Sequence, residues 1–268
     1  MFERVSQTGG TMPAASLPSI PTGRRIYAVG DIHGRADLFE AIIAAIEEDD
    51  AAAQCAISTV ILLGDLVDRG SDSAAVIALA RAWARQREVR IIAGNHEEMF
   101  LQSFHETDVL RYFLRYGGRE TLLSYGIEAG RPMTDKELKA VQAVMEAQIP
   151  EEDLLFVSAF EDLIEIGDYA FVHAGIRPDL GLKDQSQQDL RWIREPFLSH
   201  EGALSHVVVH GHTIDKTVQF HPHRIGIDTG AFKSGRLTAL VLEGTGRRLI
   251  QTHAAGDAVR VSAGKVEL

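Results

Sequence analysis

A chain of 268 residues is long enough to bury a full core, and 45% hydrophobic with 24% charged residues is an ordinary globular composition. Lysine and arginine number 27 against 38 aspartate and glutamate, and the net charge of −11 repels nucleic-acid phosphates and anionic membranes, so neither is an expected partner. The single cysteine, Cys55, excludes an internal disulfide, and no stretch approaches the roughly 20 apolar residues that span a bilayer, which makes the cytoplasm the expected location.

Residues 1–22 lack the apolar run of a signal peptide and read as a flexible lead-in to one domain over residues 23–268. The first strand signal is RRIYAVG, residues 24–30. Leu38, Ile42, Ile43 and Ile46 then fall on one face and predict a helix from about Ala36 to Asp49. Cys55 reads as a small packing residue between that helix and the next strand. Residues 57–63 are continuously apolar, as in a strand covered on both faces. Ser71 or Asp72 caps a helix that runs to about residue 86, and EVRIIAG, residues 88–94, is the third strand. From about residue 100 to 150 the pattern turns helical, a cap beside any site at the strand ends. Strands follow near 162–166 and 168–172, a short helix near Gln187–Arg194, and a strand within SHVVVHGHT. The tail, with strands near 216–220, 223–227, 236–243 and 247–253, reads as an antiparallel meander. Strands alternating with helices give an α/β class and gather strand C-terminal ends along one edge.

Those ends carry Asp31 and His33, Asp65 and Asp68, Asn95 and His96, His173, then His210 and His212. Every donor is oxygen or nitrogen, a set that suits borderline-hard divalent metals and excludes a thiolate zinc site. Without a cation, this many carboxylates and imidazoles on one sheet edge would repel and pair poorly. The neighbouring glycines, Gly30, Gly34, Gly64, Gly70, Gly94, Gly175 and Gly211, are expected to supply positive φ at the sharp turns.

In this order GDIHG, GDLVDRG, GNHEE, VHAG and GHT resemble the calcineurin-like metallophosphoesterases, in their phosphoprotein phosphatase branch, over about residues 26–240. YGGRETLLSYG and WIREPF resemble stretches of bacterial Ser/Thr-type phosphatases and symmetric diadenosine tetraphosphatases. The resemblance implies a central β-sandwich of mixed sheets flanked by helices and two divalent metal ions, manganese first, with iron or zinc tolerated by the same ligands. It implies Asp31 and His33 on the first metal, Asp65 bridging both, and Asn95, His173 and His212 on the second, with Asn95 also near the phosphate. Hydroxide held between the metals would attack in line, and His96 would protonate the leaving oxygen. Asp68 would fix the His96 tautomer and favour its protonated form, while Arg69 would clamp the phosphate. Arg194 is the expected second clamp and Arg191 its rival. His210 is read as a supporting strand-end residue.

The expected activity is phosphoester hydrolysis, first on phosphorylated serine, threonine or tyrosine in proteins, with symmetric cleavage of dinucleoside tetraphosphates or another small phosphoester as the alternative and a non-catalytic phosphate-binding scaffold last. The chain lacks the Ser-Ala-Pro-Asn-Tyr loop of eukaryotic protein phosphatases and has IDTGAF, residues 227–232, in the tail instead.

Overall fold

The protein is described from a computed structural model over residues 17–53, 57–130, 134–256 and 258–266. Cys55 and the first 16 residues of the expected lead-in lie outside the described residues.

Two mixed sheets face each other. The first has the order β11-β10-β9-β1-β2-β3, built from β1 (Arg24–Val29), β2 (Ile57–Leu62), β3 (Val89–Ile91), β9 (Arg236–Glu243), β10 (Gly246–Ala255) and β11 (Ala258–Lys265). The second has the order β4-β5-β6-β8-β7, built from β4 (Leu163–Ile166), β5 (Tyr169–Val172), β6 (Val207–His210), β7 (Gln219–Phe220) and β8 (Arg224–Gly226). β1, β2 and β3 are parallel to one another, as are β5, β6 and β8, so six strands run toward polar loops.

Alternation along β1 explains the layering. Ile26 and Ala28 point into the sandwich with Ile61, Phe171, Val209 and Ile225, whereas Tyr27 and Val29 point outward. On that outer face the sheet packs against α1 (Ala36–Ala52) and α2 (Ser73–Ala84) through Phe39, Ile42 and Val76. β2 is covered on both faces as expected, with Val60 and Leu62 under the helices and Ile61 in the sandwich. Each fully buried aliphatic or Phe side chain contributes roughly 1.5–3 kcal/mol, which makes this double core the main force holding the strand ends in register.

The helical stretch comprises α3 (Asn95–Gln102), α4 (Thr107–Arg115), α5 (Gly118–Ser124), α6 (Asp135–Gln148) and α7 (Glu151–Ser158), and has its own core around Phe100, Phe113, Leu138 and Met145. Thr134 and Glu137 form a reciprocal capping box at the start of α6. A shorter helix, α8 (Gln187–Trp192), packs Leu190 against the outer face of the second sheet, and α9 (Ala231–Ser234) follows β8.

Two expectations are corrected. The tail is not one meander: β7 and β8 join the second sheet, with β8 parallel to β6, and only β9, β10 and β11 form an antiparallel run. Nor are residues 17–22 a free lead-in, since Ile20 is buried in the sandwich and its N–H donates to Gly244 O at 2.8 Å. No helix among the described residues is long and apolar enough to cross a membrane.

Candidate active site

The parallel strands deliver their end residues to one place. Asp31 and His33 follow β1, Asp65, Asp68 and Arg69 follow β2, Asn95 and His96 open α3 after β3, His173 follows β5, and His212 follows β6. The ligand atoms of His33, Asp65 and His96 lie within 4.8 Å of one another, and so do those of Asp65, His173 and His212.

Asp65 is common to both groups, and its two oxygens divide between them. Oδ2 faces His33 Nε2 at 3.5 Å, and Oδ1 faces His173 Nε2 at 3.4 Å. Asn95 Oδ1 lies 3.0 Å from His173 Nε2 and 2.8 Å from His212 Nδ1. Asp31 stands beside this cluster with both oxygens accepting the His212 N–H at 3.1 and 3.2 Å. The trio gathered within 4.8 Å on that side therefore contains His96 and not the expected Asp31.

The protons are fixed by backbone carbonyls. His33 Nδ1 donates to Val67 O at 2.8 Å and His173 Nδ1 donates to Leu63 O at 2.8 Å, leaving each Nε2 with a lone pair aimed at Asp65. This backbone anchoring is the usual support of metal-binding imidazoles. At His173 the lone pair meets a carboxylate oxygen, and His212 Nε2 is buried with no hydrogen-bond partner among the described residues. These residues fit a pair of divalent cations, which would satisfy all these acceptors at once. The imidazoles are poor proton acceptors. Burial pushes His33 well below the usual range, His173 down to about 4 and His212 down to about 2. Burial likewise pushes Asp31 well above the carboxylate range, with the charges of Asp228 and Asp65 adding to it.

Functional residues themselves take several of the strained turns: φ is 47° at His33, 51° at Asp65, 74° at Asp68, 70° at Arg69 and 61° at His212. The expected division of labour is thus partly reversed, because several of the flanking glycines serve close approach instead. A Cβ on Gly94 would lie 2.2 Å from Asp65 Oδ1, and one on Gly211 would lie 2.0 Å from Asp31 Oδ1.

Arg69 reaches into the site, with Nη1 donating to His33 Nε2 at 2.7 Å and Nη2 to His96 Nε2 at 2.8 Å. Its guanidinium lies 4.8 Å from the Phe232 ring centroid. His96 Nδ1 donates to Asp68 Oδ2 at 2.6 Å, and Thr121 Oγ1 donates to Asp68 Oδ1 at 2.6 Å. Asp68 is thus within hydrogen-bonding reach of the Nδ1 it is expected to hold, while burial lowers His96 to about 4 against the raising charges of Asp65 and Glu97. His210 is buried with Nδ1 on Gly211 O at 3.1 Å, in keeping with a supporting place.

The arginine pair is separated. Arg191 is engaged by Asp162 at 2.6 Å and Glu98 at 3.5 Å, whereas Arg194 is exposed, has no ion pair among the described residues, and its charge reaches His212.

Three contributors were not singled out in the sequence. Glu97 accepts the N–H groups of Gly94 at 2.9 Å, Asp65 at 2.8 Å and Leu66 at 2.7 Å, holding the loop after β2 against α3. Phe232 packs edge-on to His33 at 5.3 Å as well as against Arg69. Asp228 lies next to Asp31. The last two stand in IDTGAF, which was visible only as a departure from the eukaryotic loop.

Residues 24–228 match the family model described as calcineurin-like phosphoesterase. Among curated proteins, the chain is 25% identical over 233 residues to a bis(5'-nucleosyl)-tetraphosphatase PrpE [asymmetrical] of Anoxybacillus flavithermus, covering 79% of this chain and 88% of that protein. It is 28% identical over 199 residues to the protein of the same description from Bacillus anthracis, covering 66% and 73%. Among solved structures it is similar to a protein assigned as a diadenosine tetraphosphatase, with a TM-score of 0.59, 20% identity, and coverage of 93% of this chain and 99% of that one. It is also similar to a cold-active protein-tyrosine phosphatase of a psychrophilic Shewanella species, with a TM-score of 0.56, 18% identity, and coverage of 98% and 89%.

Proposed function

The chain belongs to the calcineurin-like phosphoesterase family, and from that premise we propose that it is a dinuclear metal-dependent hydrolase whose substrate is a dinucleoside polyphosphate. The observation that carries the dinuclear reading is Asp65, with one carboxylate oxygen turned toward each imidazole group. Asp31, His33 and Asp65 would hold one cation, and Asp65, Asn95, His173 and His212 the other. Manganese is the expected pair, and iron or zinc suits the same ligands. Once bound, such a pair supplies a nucleophile from water at neutral pH and neutralises charge on the phosphoryl group.

The chain's own residues do the rest. Arg69, steered by Phe232, presents paired donors to two phosphate oxygens. Arg194 meets the phosphate from the side of His212, and Asn95 from between the two imidazoles. His96, its Nδ1 proton held by Asp68, turns Nε2 toward the leaving oxygen and acts as general acid from the imidazolium formed when Nε2 takes up a proton.

The curated relatives support the dinucleoside substrate. A groove of about 430 Å³ adds to that support, because Met99, Val109, Tyr112 and Trp192 line it with apolar and aromatic surface. The Trp192 indole donates to Glu98, two residues beyond His96, at 3.1 Å. Such walls suit a nucleobase. A phosphorylated serine or threonine side chain in a protein is the second reading, supported by the resemblance of GDLVDRG and GNHEE to the phosphoprotein phosphatase branch.

The test uses metal-stripped protein reloaded with manganese, with kcat/KM measured for diadenosine tetraphosphate and for a phosphoserine peptide. Faster turnover of the dinucleotide is expected, and Trp192→Ala should raise KM for it while leaving the peptide reaction unchanged. Chromatography of products separates ATP plus AMP from two ADP. Preference for the peptide would establish the second reading, and absence of turnover on both would sink the hydrolase reading.

A further inference from the structure

The Asp228 carboxylate adjoins that of Asp31, and the two residues are only 3% and 2% exposed. Asp228 Oδ1 accepts the Gly230 N–H at 2.8 Å, but Oδ2 is buried with no hydrogen-bond partner among the described residues. Burying a carboxylate beside another carboxylate is costly unless something positive answers both. Arg69, the guanidinium whose charge reaches this pair, has its two Nη atoms on His33 and His96.

The segment that presents Asp228 is firmly built. Ile227 N–H donates to His210 O at 2.9 Å, and Asp215 N–H donates to Asp228 O at 3.1 Å. Thr229 Oγ1 bonds to Arg236 O at 3.0 Å and to Thr238 Oγ1 at 2.8 Å. Such anchoring pins the carboxylate in place, as a supporting residue of a metal centre requires.

We propose that Asp228 is a positioning residue of the metal centre: it orients the neighbouring Asp31 and adds the negative charge that secures the cation held by Asp31. This rests on the dinuclear reading above. The competing account is that the two carboxylates share a proton for purely structural reasons. Asp228→Asn separates the two, because the amide can still hydrogen-bond Asp31 but carries no charge.

The experiment titrates metal-stripped full-length protein with manganese by calorimetry, in the native chain and in the variants. Native protein is expected to bind two ions. Asp228→Asn should weaken one of them about tenfold to a hundredfold and leave the other unchanged. Asp228→Glu, which keeps the charge, should recover most of that loss. Native affinity at both sites in the Asn variant would overturn the proposal, and so would a Glu variant as weak as the Asn variant, since packing alone would then explain the loss. If Asp228→Asn does not fold in the presence of chelator, Asp228→Ser is read by the same outcomes. Fewer than two ions on the native chain would instead refute the dinuclear reading itself.

Discussion

Asp68 Oδ2 and His96 Nδ1 are 2.6 Å apart, and neither residue is more than 1% exposed. A buried contact this short holds the imidazole with its proton on Nδ1, so Nε2 is the atom that faces the site. In His96→Asn, kcat is expected to fall by about 10²–10⁴, the range of general acid catalysis, with metal content unchanged. Kinetics combined with metal analysis checks this. Because His96 Nε2 is 3.9 Å from Asp65 Oδ2, loss of an ion in this variant would reassign His96 as a ligand.

Arg69 and Arg194 should behave alike, and Arg191 should not. Arg69→Ala and Arg194→Ala are expected to lower kcat/KM by at least about tenfold, since each removes a charge-assisted contact to phosphate. Arg191→Ala should change thermal stability more than kinetics, because its guanidinium is already committed to Asp162 and Glu98. Steady-state kinetics on the three variants decides it, and a larger kinetic loss at Arg191 than at Arg194 would reverse the assignment.

Glu97 is a structural acceptor at the centre of the site. Glu97→Ala leaves the N–H groups of Gly94, Asp65 and Leu66 buried without their acceptor, and should cost about 3 kcal/mol or more of stability. Urea unfolding of metal-stripped protein measures this directly. A loss below about 1 kcal/mol would show that the loop is held by other contacts.

The legibility of the site follows from how it is built. β1, β2 and β3 could be read from their apolar runs, and the polar residues just beyond them stood out because a buried strand rarely ends in so many ligands. Asp228 was hidden for the opposite reason. The strand expected near 223–227 is β8, Arg224–Gly226, but it ends in a single carboxylate, and Asp-Thr-Gly after it looks like an ordinary turn. The split of the tail was equally invisible, since β8 pairs with β6 across a long sequence gap and the local pattern cannot name the partner. β11 was missed because exposed residues fill most of it. Arg191 and Arg194 could not be ranked from helix spacing; what separates them is Asp162, which arrives from the segment before β4.

Away from the site, Asp49 on α1 ties that helix to β1 and β10 of the first sheet. It accepts Arg248 Nη1 and Nη2 at 2.8 Å each, and Tyr27 Oη at 2.7 Å. The Arg248 hydrogen bonds lead the causes that hold its carboxyl below the usual range. A depressed folded value means that the stabilisation is present above the unfolded pKa of about 4 and is lost as pH falls through the folded value. The difference in Tm between the native chain and Asp49→Asn should therefore be widest near neutral pH and shrink as the pH falls below the unfolded value of about 4. A difference that stays constant across that span would remove the charge from the explanation.

The central claim is that Asp65 serves two cations at once. The most direct measurement is the number of manganese ions bound per chain in native protein and in Asp65→Asn, after stripping and reloading. The account predicts two in the native chain and loss of both, or disorder at both positions, in the variant. An Asp65→Asn protein that keeps two ions and the native rate would contradict it.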